Sequence, residues 1–247
     1  MPNDELRIDF FDEEGNLKDK EQMTKEISEI YDEISEEICN CKHGHNLMTM
    51  LSGDFDPTNL LEKYQFIERK LYLDTEITEE IGRAFLEKIQ FWNAEDEVNE
   101  TPVDERIPIQ IYIDSPGGMI TTALQIIDAI QISKTPVITI ATGTAYSGAF
   151  FILTAGHHRC AFPNATFLFH EGSGGALGDA HKVLQQADFY EKLLKQIKRH
   201  VLKTTSITNE LYEQHKTDDW YFNSKRALKL GVIDEISTDV NGGIYNE

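Results

Sequence analysis

Two β-branched runs, each leading through a glycine-containing turn into a helical pattern, constrain this chain more than any other feature. Ile107-Pro108-Ile109-Gln110-Ile111-Tyr112-Ile113 reads as a strand and runs directly into Asp114-Ser115-Pro116-Gly117-Gly118. A helix is expected next, with Ile120, Ala123, Ile127 and Ile130 as its apolar stripe. Val137-Ile138-Thr139-Ile140-Ala141 reads as a second buried strand, and Ala149 to Ala155 as a buried helix ending at Gly156. Such strand–helix–strand–helix alternation requires right-handed crossovers around a mainly parallel sheet, so the expected class is α/β.

Between the second strand and its helix lies Gly143-Thr144-Ala145-Tyr146-Ser147-Gly148-Ala149. A serine among small residues at a strand-to-helix turn can present its hydroxyl at a helix N-terminus, where backbone N–H groups favour developing negative charge. The same pattern is also that of a close-packed turn with a capping serine. Composition narrows the field. The net charge of −20 argues against a nucleic-acid partner or an anionic membrane surface, which need clustered Lys and Arg. No apolar run is long enough to span a bilayer, the N-terminus lacks the pattern of a signal peptide, and three cysteines do not make a disulfide framework. A cytoplasmic protein is therefore expected.

The first 65 residues have a different character. From Lys20 to Ile38, Met23, Ile27, Ile30, Ile34 and Ile38 fall on one helical face opposite a row of Glu and Asp, which predicts an amphipathic helix. Cys39, Cys41, His43 and His45 then alternate with other residues, so an extended segment would point all four to one side. They are weak metal candidates, because zinc sites usually combine ligands from separate elements. The expected organisation is an acidic N-terminal extension over residues 1–65 and a main domain over 66–247.

Within the main domain, Arg69–Leu73 reads as a strand and Asp74–Phe91 as a helix with Ile77, Ile81, Phe85 and Ile89 on one face; residues 93–106 read as an acidic loop. Thr166–Phe169 reads as a short strand ending at His170. Asp179 to Lys203 predicts a long helix with the near-heptad stripe Val183, Ala187, Tyr190, Leu194, Ile197 and Val201, suited to packing against another helix. Thr205-Ser206 is the expected cap of a helix reaching His215, Asn223 or Ser224 of one ending at Gly231, and Val232-Ile233 is the expected last strand.

Nucleophilic catalysis by serine needs a base, a group that orients the base and donors for an oxyanion. Ser147, His170, the adjacent Asp218 and Asp219, and the glycine turns at Gly117-Gly118 and Gly148 could supply them. In that order the residues resemble the proteolytic subunit of the Clp protease (ClpP). The resemblance rests on Ile111–Gly118, on Gly143–Ser147 followed by a helix to Ala155-Gly156, on Pro163-Asn164 and His170, and on Asp219 followed by Ala227, Gly231 and Asp234.

The resemblance implies the ClpP/crotonase fold of stacked ββα units with a protruding handle helix, here 179–203, behind an N-terminal helical arm. It implies Ser147 as nucleophile, His170 as base, Asp219 as its orienting carboxylate, and the N–H groups of Gly118 and Gly148 as oxyanion hole, without metal or organic cofactor. It further implies a homo-oligomeric, heptameric ring fed with protein substrates by an ATP-dependent Clp-type unfoldase. Alternatives are a processing protease that works without an unfoldase and an inactive subunit of a mixed complex. This sequence departs from the family pattern in having Gly148 where methionine is common, Glu171-Gly172 after the histidine in place of Gln-Pro, and Trp220 where many members carry arginine.

Overall fold

The computed structural model describes residues 57–172, 175 and 177–239. The helix expected from Lys20 to Ile38 and the Cys39, Cys41, His43 and His45 cluster lie outside the described residues. The chain divides into two units, Met1–Ile67 and Glu68–Glu247. Helix α1 (Pro57–Ile67) belongs to the first unit and every other described element to the second.

The second unit is built on a seven-stranded sheet. In chain order come β1 (Lys70–Leu73), α2 (Glu79–Val98), a 3-10 turn (Val103–Glu105), β2 (Ile109–Ser115), α3 (Ile120–Ile132) and β3 (Val137–Tyr146). Then follow α4 (Gly148–Leu153), β4 (His158–Ala161), β5 (Thr166–Phe169), α5 (Ala180–Thr204), α6 (Asn209–His215), β6 (Trp220–Asn223), α7 (Ser224–Lys229) and β7 (Glu235–Ile236). The strands run β1-β2-β3-β4-β7, all parallel, and the α/β class expected from the alternation is the one observed.

Strand β3 decides where a site can form. Its first half, Ile138–Ala141, pairs with β4; its second half, Thr144–Tyr146, pairs with β5. The change of partner occurs at an irregularity against β2, where Ile113 faces Ala141 but Ser115 faces Ala145. Extra residues on one strand bend it and increase its twist. The Asp114 carboxylate supports the bend by accepting from both the amide and the hydroxyl of Thr144, at 2.7 and 2.8 Å. A Cβ on Gly143 would stand 2.5 Å from that carboxylate, so a larger residue there would displace it. Strand β5 in turn pairs antiparallel with β6.

Several boundaries differ from the sequence expectation. Helix α2 starts at Glu79 behind a Thr78 cap and continues to Val98, beyond the expected end at Phe91. Its acidic last turns are held across β1: Arg69, 3% exposed, makes two bonds of 2.7 and 2.8 Å to Asp96 and one of 2.9 Å to Glu95. Ile77 is not on the helix but in a bridge to Gly118. The helix α6 is capped by Thr208, not Thr205-Ser206, and the last strand lies at Glu235–Ile236, after Val232-Ile233. Strands β4 and β6 had no sequence expectation. On α5 the buried residues are Leu193, Ile197, His200 and Val201, all in the C-terminal half, so the expected stripe is covered at only one end.

Candidate active site

The turn after β3 holds Ser147 with φ 52° and ψ −119°, a conformation that costs a non-glycine residue of order 1–3 kcal/mol. It persists because the backbone is bonded on both sides. The Ser147 amide donates to Leu168 O at 3.0 Å, and its carbonyl accepts from Phe150 N at 3.0 Å. Ser147 occupies the N-cap position of α4, yet its side chain makes no capping bond. The hydroxyl is thus not used to terminate the helix. All six residues of α4 are buried, which fixes the turn from below.

Strand register brings the expected partners to the same edge. Tyr146 is paired with Leu168 on β5, and Phe169 with Trp220 on β6. One step further along β3, β5 and β6 stand Ser147, His170 and Asp219. His170 Nδ1 lies 3.1 Å from Asp219 Oδ1, with side-chain exposures of 24% and 61%. A carboxylate only accepts, so Nδ1 carries the proton of the neutral ring and Nε2 keeps its lone pair. The bond from Ser147 Oγ to His170 is not formed among the described residues. The neighbouring Asp218 donates its amide to His215 O at 3.2 Å.

Aromatic packing under the strand ends sets these positions. Phe169, next to His170, meets Phe150 and Phe151 of α4, Tyr212 of α6 and Trp220 of β6, with centroids 5.1–6.3 Å apart. Trp220 stacks on His215 at 4.1 Å, which engages its ring within this unit. The Glu171 amide donates to Lys216 O at 3.0 Å and ties the stretch after His170 to the loop before Asp219.

The second glycine turn faces the elbow. Ser115 Oγ, buried, donates to Thr75 O and accepts the Gly117 amide at 3.1 Å. Gly117 has φ 97°, and a Cβ there would meet Tyr146 O at 2.6 Å and Ser147 Cβ at 2.9 Å. Ile77 N donates to Gly117 O and Met119 N to Ile77 O, at 2.8 and 3.0 Å. In such a bridge the Gly118 amide points away from Ile77. A Cβ built on Gly148 would lie 3.5 Å from Gly118 N. The Gly148 amide, first of α4, has no intrahelical acceptor. The backbones of Gly118 and Gly148 are thus close together beside Ser147. Ile77 Cδ1 stands 3.0 Å from that same Gly148 Cβ position, so Ile77 fills the space where a larger side chain was expected.

His200 on α5 anchors the helix α4. Its ring contacts Phe151 O at 3.1 Å, Thr154 Oγ1 at 2.9 Å and Gln131 Nε2 at 3.2 Å. A carbonyl can only accept, which assigns the proton to Nε2 and leaves Nδ1 to accept from Gln131. Burial lowers the His200 pKa, against the opposing pull of the Phe151 carbonyl bond.

With this geometry in hand, comparison with known proteins is decisive. Residues 57–240 match the Clp protease family. The chain belongs to the Clp protease family. It is 29% identical over 174 residues to an ATP-dependent Clp protease proteolytic subunit of Chlorella vulgaris, covering 70% of this chain and 83% of that one. Proteins with the same description from two strains of Dehalococcoides mccartyi are each 31% identical over 191 residues, covering 74% of this chain and 86% of theirs. At this distance the chain is a divergent ClpP-type member and a serine-type peptidase. The match begins at residue 57, ahead of the boundary expected at 65. No described helix is long and apolar enough to cross a membrane.

Of the residues expected from the sequence, His170 and Asp219 are in contact, and Ser147 stands at the turn after β3. Sequence reasoning assigned no part in the site to three residues around this turn: Ile77, bridged to Gly118; Asp114, which bonds Thr144 at the β3 bend; and His200 against α4. Asp114 stood in the glycine motif and could have been noticed. Ile77 and His200 act through contacts remote in sequence and gave no local signal.

Proposed function

We propose that this chain is an endopeptidase that cleaves protein substrates through an acyl-enzyme on Ser147. His170 Nε2 takes the Ser147 proton as Oγ attacks the scissile carbonyl, and returns it to the leaving amine. Asp219 holds the ring in the Nδ1–H tautomer and stabilises the imidazolium. The amides of Gly118 and Gly148 bind the oxyanion, and water then releases the acyl group by the reverse sequence. The observation that carries this reading is the 3.1 Å His170–Asp219 contact beside a strained serine whose side chain makes no cap. The Ser147–His170 bond forms when substrate orders the site, as is common for serine nucleophiles.

Residues 66–247 form the peptidase domain in this reading, and residues 1–65 an appended arm. The chain works in the cytoplasm as a homo-oligomeric, heptameric ring supplied by a Clp-type ATPase. The N-terminal half of α5 favours assembly: Leu184 and Phe189 are 67% and 56% exposed there. Unpartnered apolar side chains on a projecting helix suit contact with another copy.

Labelling with a fluorophosphonate probe tests the chemistry. Labelling is expected in the wild type and absent in Ser147→Ala and His170→Ala; absence of Ser147-dependent labelling in the assembled wild type would sink the proposal. Light scattering tests the ring, which a stable monomer would refute.

A further inference from the structure

The sheet edge farthest from β1 holds a second cluster of reactive side chains that peptide hydrolysis does not use. His158 and Cys160 alternate along β4 and so share one face of the sheet. Cys160 is paired in register with Glu235 on β7, which brings the carboxylate to that face as well. Cys160 Sγ donates to Glu235 Oε1 at 3.3 Å, and His158 Nε2 stands 3.5 Å from the same oxygen. All three donor atoms lie within 4.8 Å of one another.

We propose that His158, Cys160 and Glu235 form a binding site for a borderline-soft divalent cation, zinc above all. Zinc bonds of about 2.0–2.3 Å in a tetrahedron put neighbouring donors roughly 3.3–3.6 Å apart. The two contacts at the carboxylate already have that spacing. A thiolate, a neutral imidazole and one carboxylate balance the charge of a divalent ion. The thiol excludes magnesium and calcium, which prefer oxygen alone. On binding, the proton that Sγ shares with Glu235 leaves to solvent and the sulfur takes up the metal.

The surroundings suit this use. The thiol is buried against Tyr112, Ile138 and Ile140, which gives the site a dry floor. The His158 and Glu235 side chains are 45% and 44% exposed, which leaves an entry path and a fourth position for water. Asp234, fixed by Arg159, stands 3.9 Å from His158 Nδ1, where a carboxylate can orient the imidazole. Among the described residues β7 is paired only with β4, so a metal here joins that last strand to its neighbour.

Cobalt(II) is the probe. The full chain has three cysteines, so Cys39→Ser/Cys41→Ser leaves Cys160 as the single thiol and removes the two N-terminal candidate thiols. In that background one cobalt per chain is expected, with a thiolate-to-cobalt charge-transfer band in the near ultraviolet that zinc displaces. Cys160→Ser abolishes the band, and the surface changes His158→Ala and Glu235→Gln weaken binding at least about tenfold. Saturating zinc raises Tm by roughly 5 °C in this background but not with Glu235→Gln. The proposal is overturned if the folded chain shows no charge-transfer band at millimolar cobalt. It is equally overturned if the band is unchanged by both surface substitutions. Neither result bears on Ser147 labelling.

Discussion

Two carboxylates in this domain, each paired with a basic side chain, differ in everything that matters for use. Asp96 is buried and accepts two bonds from Arg69 and one of 2.6 Å from Thr135 Oγ1. Asp219 is largely exposed and meets His170 through one oxygen. The saturated pair fixes α2 to β1 and has no capacity left for a substrate. The open pair sits at a strand end, with His170 Nε2 free to move a proton. A carboxylate is structural when its neighbours fill its lone pairs, and available for chemistry when they leave the partner group a second face.

Experiments can break this contrast. The largest effect is expected from Ser147→Ala, which should lower peptidase turnover by at least about 10³-fold while leaving Tm within a degree or two. Asp219→Asn comes next: turnover should fall by about 10²–10⁴-fold with little change in stability, because the misoriented ring no longer offers Nε2 as a base. A large loss of Tm in Asp219→Asn would erase the distinction between the two pairs.

Asp96→Asn should do the opposite, costing about 3 kcal/mol in urea unfolding with normal turnover in the folded fraction, since Arg69 loses its main buried partner. Burial alone would raise the Asp96 pKa, but the bonds from Arg69 and Thr135 outweigh it and hold it below the ordinary carboxylate value. Its contribution is therefore complete above the unfolded pKa near 3.9 and is lost as the pH falls through the lower folded value. The wild type should lose stability more steeply than Asp96→Asn below about pH 4.

His200→Ala should cost roughly 1–3 kcal/mol by unbonding α4 from α5. Because burial holds the folded His200 pKa below the unfolded value of about 6.5, its protonation disfavours the fold. The stability it contributes is present above about pH 6.5 and declines as the pH falls toward the folded value. The His200→Ala variant should lack that slope in urea midpoints measured from pH 7.5 to 5. The smallest effect is expected from Lys192→Ala, whose 2.7 Å pair with Asp188 is exposed on both sides; Tm should not move measurably.

The sequence was most informative where neighbours along the chain decide the outcome. The apolar runs at Ile109–Ile113 and Val137–Ala141 are buried strands, and the stripes after them are helices. Gly231, with φ 62°, ends α7 as expected. It was least informative at strands β4 and β6. His158–Ala161 and Trp220–Asn223 are four residues each and carry polar side chains, so neither shows a decisive period. They are strands because β3 and β5 offer them open edges. The end of α2 was misjudged for a related reason: Glu95 and Asp96 look like loop residues until Arg69, from another element, takes up their charge.

By itself, then, the sequence determined the α/β alternation, the two glycine turns, and the chain order of Ser147, His170 and Asp219. Residue type and local spacing suffice for those. Tertiary structure alone decided that β3 leaves β4 for β5 at the Asp114 bend, and that Ile77 bridges to Gly118. It also decided that Cys160 meets Glu235 across β4 and β7. Each depends on hydrogen bonds and contacts between residues tens of positions apart, which pairing of strands brings together and no local pattern encodes.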